Sequence, residues 1–264
     1  MSGQPRVRRL ILARHGESEA NRAAAEADAT GAERIAVPAR DADVELSSTG
    51  RDQAEALGHH LADLEQGLTP SAVWVSPYVR ARQTTEIALR TAGLDLTPRV
   101  DERLRDRELG ILDALTGRGV RARYPDEAER RQYLGKFYYR PPGGESWADV
   151  ALRVRSVLAD IDASAGDRDD DEGEDGDGTV LIVCHDAVVS LLRYVCERVE
   201  EADLLEDARV NPMPNAAVTV LERVGTGHGT EPGWRAVTVN DVAHLDRHDA
   251  AVTRHSGESD DTTP

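Results

Sequence analysis

Val7-Arg8-Arg9-Leu10-Ile11-Leu12-Ala13-Arg14-His15-Gly16-Glu17-Ser18 is the stretch on which the fold turns. Val7 to Ala13 reads as a strand, and its short apolar run, Leu10 to Ala13, is as expected of a strand buried on both faces. Polar residues follow at once, and Gly16 leaves room for close approach where strand turns into helix. Ala72 to Ser76 and Thr179 to Cys184 have the same character, and each of the three runs precedes a helical pattern. One helix is expected from near Thr49, whose hydroxyl can cap with Asp52 three residues on, and which places Leu57, Leu61 and Leu64 on one face. A second is expected from about Ser146, with Val150, Val154, Val157, Leu158 and Ile161 in register, and a third from Asp186 to Val199. Late strands are expected at Ala217 to Glu222 and Trp234 to Asn240. Strands alternating with helices predict an α/β protein, a three-layer α/β/α sandwich around a mostly parallel sheet.

The composition agrees with that architecture. The chain has 264 residues, of which 39% are apolar and 4% aromatic, so its core must be built on Ala, Val, Leu and Ile. The domain is expected to span 1–250. Within it, 166–178 reads as an acidic insertion, since Asp167 to Asp177 holds eight carboxylates and one arginine. That insertion and a tail over 251–264 are expected to be disordered. The net charge of −17 argues against nucleic-acid partners and a polybasic membrane patch. Leu10 to Ala13 is too short for a signal-peptide core or a membrane span, and a cytoplasmic protein is expected. Cys184 and Cys196 lie in apolar stretches without metal-ligand spacing and read as buried free thiols.

In parallel α/β sheets ligands bind beyond the carboxyl ends of the strands. The first strand is followed by Arg14, His15, Gly16, Glu17 and Ser18, with Asn21 next; the second by Ser76-Pro77-Tyr78-Val79-Arg80; the third by His185-Asp186. Two histidines and two arginines thus converge on one edge. Guanidinium groups bind phosphoryl oxygens in a bidentate manner, and a neutral imidazole is a nucleophile near pH 7, its ordinary pKa being about 6.5.

Arg14-His15-Gly16-Glu17 with Asn21 resembles the signature of the histidine phosphatase superfamily, phosphoglycerate-mutase-like branch. The resemblance continues through Leu46-Ser47 with Gly50 and Gln53-Ala54, Ser76-Pro77 with Arg80 and Gln83-Thr84, Gly143-Gly144-Glu145-Ser146 with Asp149 and Arg153, and Val183-Cys184-His185. It implies that His15 takes the phosphoryl group and that water then releases it. Arg14, Arg80 and His185 would surround the phosphate, with Asn21 as a further donor and Gly16, Glu17 and Ser18 beside it. A carboxylic acid would protonate the leaving oxygen. The family places Glu four residues before a Gly, whereas Asp106 stands at that position before Gly110; Glu108 and Asp186 are the alternatives.

Lys136 to Glu145 clusters aromatics, and in the family this stretch resembles part of a lid, so Phe137, Tyr138, Tyr139 and Arg140 are candidates for reading the leaving group. His59, His60, His228, His244, His248 and His255 are expected at the surface. The expected activity is phosphomonoester hydrolysis of a small phosphorylated metabolite with no metal or other cofactor. A mutase and a catalytically silent phospho-ligand-binding or partner-binding member are the alternatives. Oligomeric state stays open, a homodimer being one option.

Overall fold

The computed structural model describes residues 7–37, 40–164, 178–224 and 233–254. Their elements, in chain order, are β1 (Arg9–Arg14), α1 (Glu19–Thr30), α2 (Ser48–Ala62), β2 (Ala72–Val75), α3 (Val79–Ala92), β3 (Arg99–Val100), α4 (Gly117–Arg123) and α5 (Pro125–Tyr138). They continue with α6 (Trp147–Ser164), β4 (Thr179–Cys184), α7 (Asp186–Glu197), α8 (Glu201–Val210), β5 (Val218–Val224), β6 (Gly233–Asp241) and α9 (Ala243–Arg247). The strands form one sheet in the order β3-β2-β4-β1-β5-β6. Its β3, β2, β4 and β1 run parallel, while β5 and β6 are antiparallel to their neighbours.

Alternation along the central strands divides the core into two layers. Leu10 and Leu12 of β1 join Trp74, Ile182, Val150, Val154 and Val188 on the face covered by α6 and α7. Ile11 and Ala13 point the other way, toward Val73, Leu181, Leu57, Leu61 and Ala88 on the face covered by α2 and α3. Both faces of β1 and β4 are therefore dry, which is why their sequences show no polar alternation.

Local chemistry adjusts several sequence-based boundaries. The α2 cap is Ser47 and not Thr49: Ser47 Oγ accepts from Gly50 N at 3.0 Å. The α6 helix begins where expected, with Asp149 N donating to Ser146 Oγ at 3.1 Å and Ser146 N donating back to Asp149 Oδ2 at 2.8 Å. The α7 helix stops at Glu197, because Arg198 takes up the left-handed conformation (φ 58°). The expected tail also begins too early: Gln53 Nε2 donates to Ala251 O at 2.7 Å and Asn215 N donates to Thr253 O at 3.0 Å, which fastens 251–254 to the domain. The acidic stretch 165–177, the segment 255–264, His228 and His255 lie outside the described residues.

One histidine departs from its expected surface position. His244 is fully buried with Leu245, its ring centroid 5.3 Å from that of His60. The five-residue α9 that carries it is too short to show a helical period in the sequence. Burial, then the neighbouring His60, pushes the His244 pKa down to about 4.

An unfolded histidine titrates near 6.5, so between that pH and about 4 the unfolded chain binds more protons at this position than the folded one. The contribution is complete above pH 6.5 and is lost as the pH falls. His244→Leu should therefore recover about 2–3 kcal/mol of the stability that the wild type loses between pH 7 and pH 4.5, read by urea unfolding at both values. Parallel losses in the two proteins would contradict the assignment.

Candidate active site

The site is built by strand register. In the parallel β1–β4 pair Arg14 stands opposite Cys184, so the next residues, His15 and His185, emerge side by side. Their ring centroids are 5.1 Å apart, and His15 N donates to Cys184 O at 3.0 Å. The β2–β4 register pairs Val75 with Val183, which sets Ser76 beside them, and the first turn of α3 brings in Arg80. Arg14, His15, Arg80 and His185 are all at most 4% exposed.

The orientation of His15 decides what it can do. Its Nδ1 lies 2.7 Å from Gly16 O, so Nδ1 carries the hydrogen and Nε2 carries the lone pair. Nε2 accepts from Arg80 Nε at 3.2 Å. The His15 pKa is held well below the ordinary value, first by burial, then by the positive charge of Arg80 and by His185 and Arg14. The neutral imidazole is thereby the stable form, with a nucleophilic nitrogen aimed at a guanidinium. Asn215 steadies the loop: its Nδ2 donates to His15 O at 3.3 Å and to Asn21 Oδ1 at 3.2 Å. Gly16 is required here by contact, since a Cβ on it would lie 2.4 Å from Gly50 O.

Asp106 faces Arg80 and His185. Its Oδ2 is 3.1 Å from Arg80 Nη2 and 3.2 Å from His185 Nδ1, and its Oδ1 accepts from Arg107 N at 2.8 Å. Burial raises its pKa, but His185, Arg80 and the Arg107 N–H outweigh that and leave it well below the carboxylate range. His185 Nε2 in turn lies 2.8 Å from Ser76 Oγ. Arg14 is anchored by a hydrogen bond from Nη1 to Met213 O. Its pKa is lowered by burial against the opposing pull of Asp186 and Asp106.

Arg14, His15, Arg80 and Asp106 open on a cleft of about 1170 Å³, which Ser18, Asn21, Glu108, Asp186 and Tyr139 also line, whereas His185 is buried and does not line it. Asn21 Oδ1 accepts from Ser18 N at 3.0 Å and from Asn215, which turns its Nδ2 into the group's available donor. Ser18 caps α1. Glu108 accepts from Tyr78 Oη at 3.1 Å, and Asp186 opens α7. Glu17 turns away from the cleft: it is 5% exposed, and its carboxylate accepts from Ser47 Oγ at 2.6 Å. The N–H groups of Gly16 and Glu17 are spent on Thr84 Oγ1 and Gln53 Oε1, so they are not phosphate donors in this arrangement.

Of the aromatic cluster, Phe137 packs in the core and only Tyr139 reaches the cleft. Tyr138 is 56% exposed and bonded to Glu201, while Arg140 pairs with Asp149; neither lines the cleft. The cause is Gly135 (φ 76°), which breaks α5 and rotates the residues after it. Asp41, Ser76 and Asn215 were not anticipated as site residues. Asp41 sits on a single turn without periodicity, and Asn215 precedes β5, whose antiparallel sense brings its start to the edge where β1 ends. Among the described residues no group of three His, Cys, Asp or Glu is arranged to hold a metal ion, and no helix is long and apolar enough to cross a membrane.

Residues 10–241 match the sequence profile of the histidine phosphatase superfamily (branch 1). The chain is 32% identical over 199 residues to human 6-phosphofructo-2-kinase/fructose-2,6-bisphosphatase 3, covering 75% of the chain and 31% of that protein. The form from Rattus norvegicus is 31% identical over 256 residues, covering 96% and 38%. The chain thus spans about a third of the length of these curated relatives. Among solved structures, a mycobacterial glucosyl-3-phosphoglycerate phosphatase superposes with a TM-score of 0.68 at 28% identity, covering 89% of this chain and 99% of that one. The α-ribazole phosphatase of Shigella flexneri, 19% identical, shares the fold with a TM-score of 0.64 over 89% and 98% of the two chains.

The depressed His15 pKa has a kinetic consequence. Protonation would remove the Nε2 lone pair, so for any reaction that uses it the acid limb of kcat/KM should lie below pH 6.5 after correction for a phosphomonoester's own ionisation at about 6. A pH profile whose enzyme limb falls at or above 6.5 would contradict this environment.

Proposed function

The chain belongs to the histidine phosphatase superfamily, branch 1, and from that premise we propose that it is a metal-independent phosphomonoesterase acting through a phosphohistidine on His15. The observation that carries the reading is how the two nitrogens of the His15 ring are placed. Nδ1 is committed to Gly16 O, and Nε2 faces Arg80 within a pocket of Arg14 and His185. Nε2 attacks phosphorus as the bond from phosphorus to the leaving oxygen breaks. Arg14, Arg80, His185 and Asn21 neutralise charge on the equatorial oxygens. Water then attacks the phosphohistidine, the P–N bond breaks, and inorganic phosphate leaves.

Asp106 is the proposed proton donor to the leaving oxygen and acceptor from water. Its low pKa belongs to the ligand-free arrangement, in which it holds Arg80 Nη2 and His185 Nδ1. A phosphate dianion takes those donors and adds like charge, and both effects raise the carboxyl pKa. Substrate binding thus loads the acid with its proton. Glu108 and Asp186 also line the cleft, Glu108 accepting from Tyr78 Oη and Asp186 acting on the Arg14 guanidinium.

The substrate is proposed to be a small phosphorylated metabolite with a second anionic group. Arg121 of α4 and Arg131 and Lys136 of α5 line the same cleft, together with the carboxylates of Asp28, Asp113 and Glu129, and Arg107 is brought down to about 10 by burial and by the adjacent charge of Arg131. The relatives named above, a fructose-2,6-bisphosphatase and a glucosyl-3-phosphoglycerate phosphatase, are consistent with that class. The buried free thiols Cys184 and Cys196 suit a reducing compartment such as the cytoplasm.

Phosphate release from sugar bisphosphates, phosphoglycerates and their glucosyl derivatives, with and without a chelator, tests the reading. His15→Ala should fold normally and lose at least about a thousandfold in kcat. Asp106→Asn should lose about 10²–10⁴-fold on an alkyl phosphate and far less on an aryl phosphate, whose leaving group needs no proton. Isomerisation of 3-phosphoglycerate without net release would make the enzyme a mutase, and equal losses on both esters would remove Asp106 from the role.

A further inference from the structure

Arg80 has five N–H donors, and all five are engaged. Nε donates to His15 Nε2 at 3.2 Å. Nη1 donates to Asp41 O at 2.7 Å and to Asp41 Oδ1 at 2.9 Å, while Nη2 donates to Asp41 Oδ2 and Asp106 Oδ2, both at 3.1 Å. The guanidinium therefore has two edges with different neighbours. Its Nη1–Nη2 end lies against Asp41 in a bidentate pair reinforced by a backbone carbonyl. Its Nε–Nη2 side lies against His15 and Asp106, the groups that take part in the reaction. The Tyr78 ring, 4.8 Å from Arg80 Cζ, covers the guanidinium face.

We infer that Asp41 is a positioning residue for Arg80, clamping the Nη1–Nη2 end so that the Nε–Nη2 edge stays turned toward His15 Nε2 and is presented to the phosphoryl group. The inference rests on the phosphatase reading for the identity of that group. Arginine loses side-chain freedom when it is fixed, and a bidentate carboxylate matches the guanidinium fork well enough to hold one orientation. An incoming phosphate competes with Asp106 and His15 for the Nε–Nη2 edge, not with Asp41, so the clamp persists while the chemistry proceeds. The arrangement carries an electrostatic cost, since Asp41 places a negative charge beside a site for a dianion. A residue kept for orientation at the expense of attraction has a distinctive signature. Its removal should slow turnover without weakening the binding of phosphate.

The test compares wild type with Asp41→Ala, Asp41→Asn and Asp43→Asn. Asp43 lies on the same turn, pairs with Arg40 and is 55% exposed, so its variant controls for loss of the turn itself. Asp41→Ala should lower kcat by about 10–100-fold, the scale of a misplaced catalytic group, and Asp41→Asn by less because one acceptor is kept. The Kd of inorganic phosphate, by calorimetry, should stay within about threefold or tighten, since a repelling charge has gone. Asp43→Asn should match wild type. The Arg80 Nε–H resonance, slow to exchange in wild type and broadened in Asp41→Ala, reads the clamp independently of turnover. Unchanged or raised kcat, an equal loss in Asp43→Asn, a loss of phosphate affinity as large as the loss of kcat, or an unchanged resonance would each overturn the inference. Failure of the underlying phosphatase reading would appear separately, as absence of turnover in the wild type.

Discussion

The in-register pairing of β1 with β4, from Arg9–Thr179 to Arg14–Cys184, is the constraint on which the site rests. Because both strands end at the same level, the residues after them, His15 and His185, leave the sheet together. A slip of one residue would turn Leu10 and Leu12 out of one layer and Ile11 and Ala13 out of the other, so burial on both faces locks the register. The core thus positions the chemistry, and helices α2 and α3 complete it by delivering Gly50 against Gly16 and Arg80 against His15.

Concentrating cations in a dry pocket has consequences that the surrounding carboxylates offset. Burial and mutual repulsion lower the pKa values of His15 and Arg14, while Asp41 and Asp106 hold Arg80 charged against its own burial. The result is a division of states: a guanidinium that stays positive beside an imidazole that stays neutral. The chain's net charge of −17 does little to this balance, because charges beyond about 8 Å are screened at physiological salt, whereas the pocket groups touch. An acidic protein can therefore hold a phosphate site.

Much of this was legible in the sequence because it follows from strong periodic signals. The three apolar runs gave the parallel centre of the sheet, and the residues after each run gave His15, Arg80 and His185. What escaped lies where periodicity is absent. Asp41 stands on a single turn, Asn215 on the approach to an antiparallel strand, and His244 on a helix of five residues. Tyr138 and Arg140 illustrate the opposite error. Their place in an aromatic-rich stretch suggested the cleft, but a backbone break at Gly135 decides which way each side chain points. Composition locates such a segment without orienting it.

The most direct test of the central claim, that a neutral His15 presents Nε2 to phosphorus, is to quench the enzyme with alkali during turnover of a phosphomonoester. The labelled protein is then mapped by mass spectrometry and phosphorus NMR. The account predicts one phosphoryl group on His15, attached to Nε2, appearing and decaying at rates compatible with turnover. Phosphate attached to Nδ1 or to His185, or turnover with no phosphohistidine formed, would contradict it.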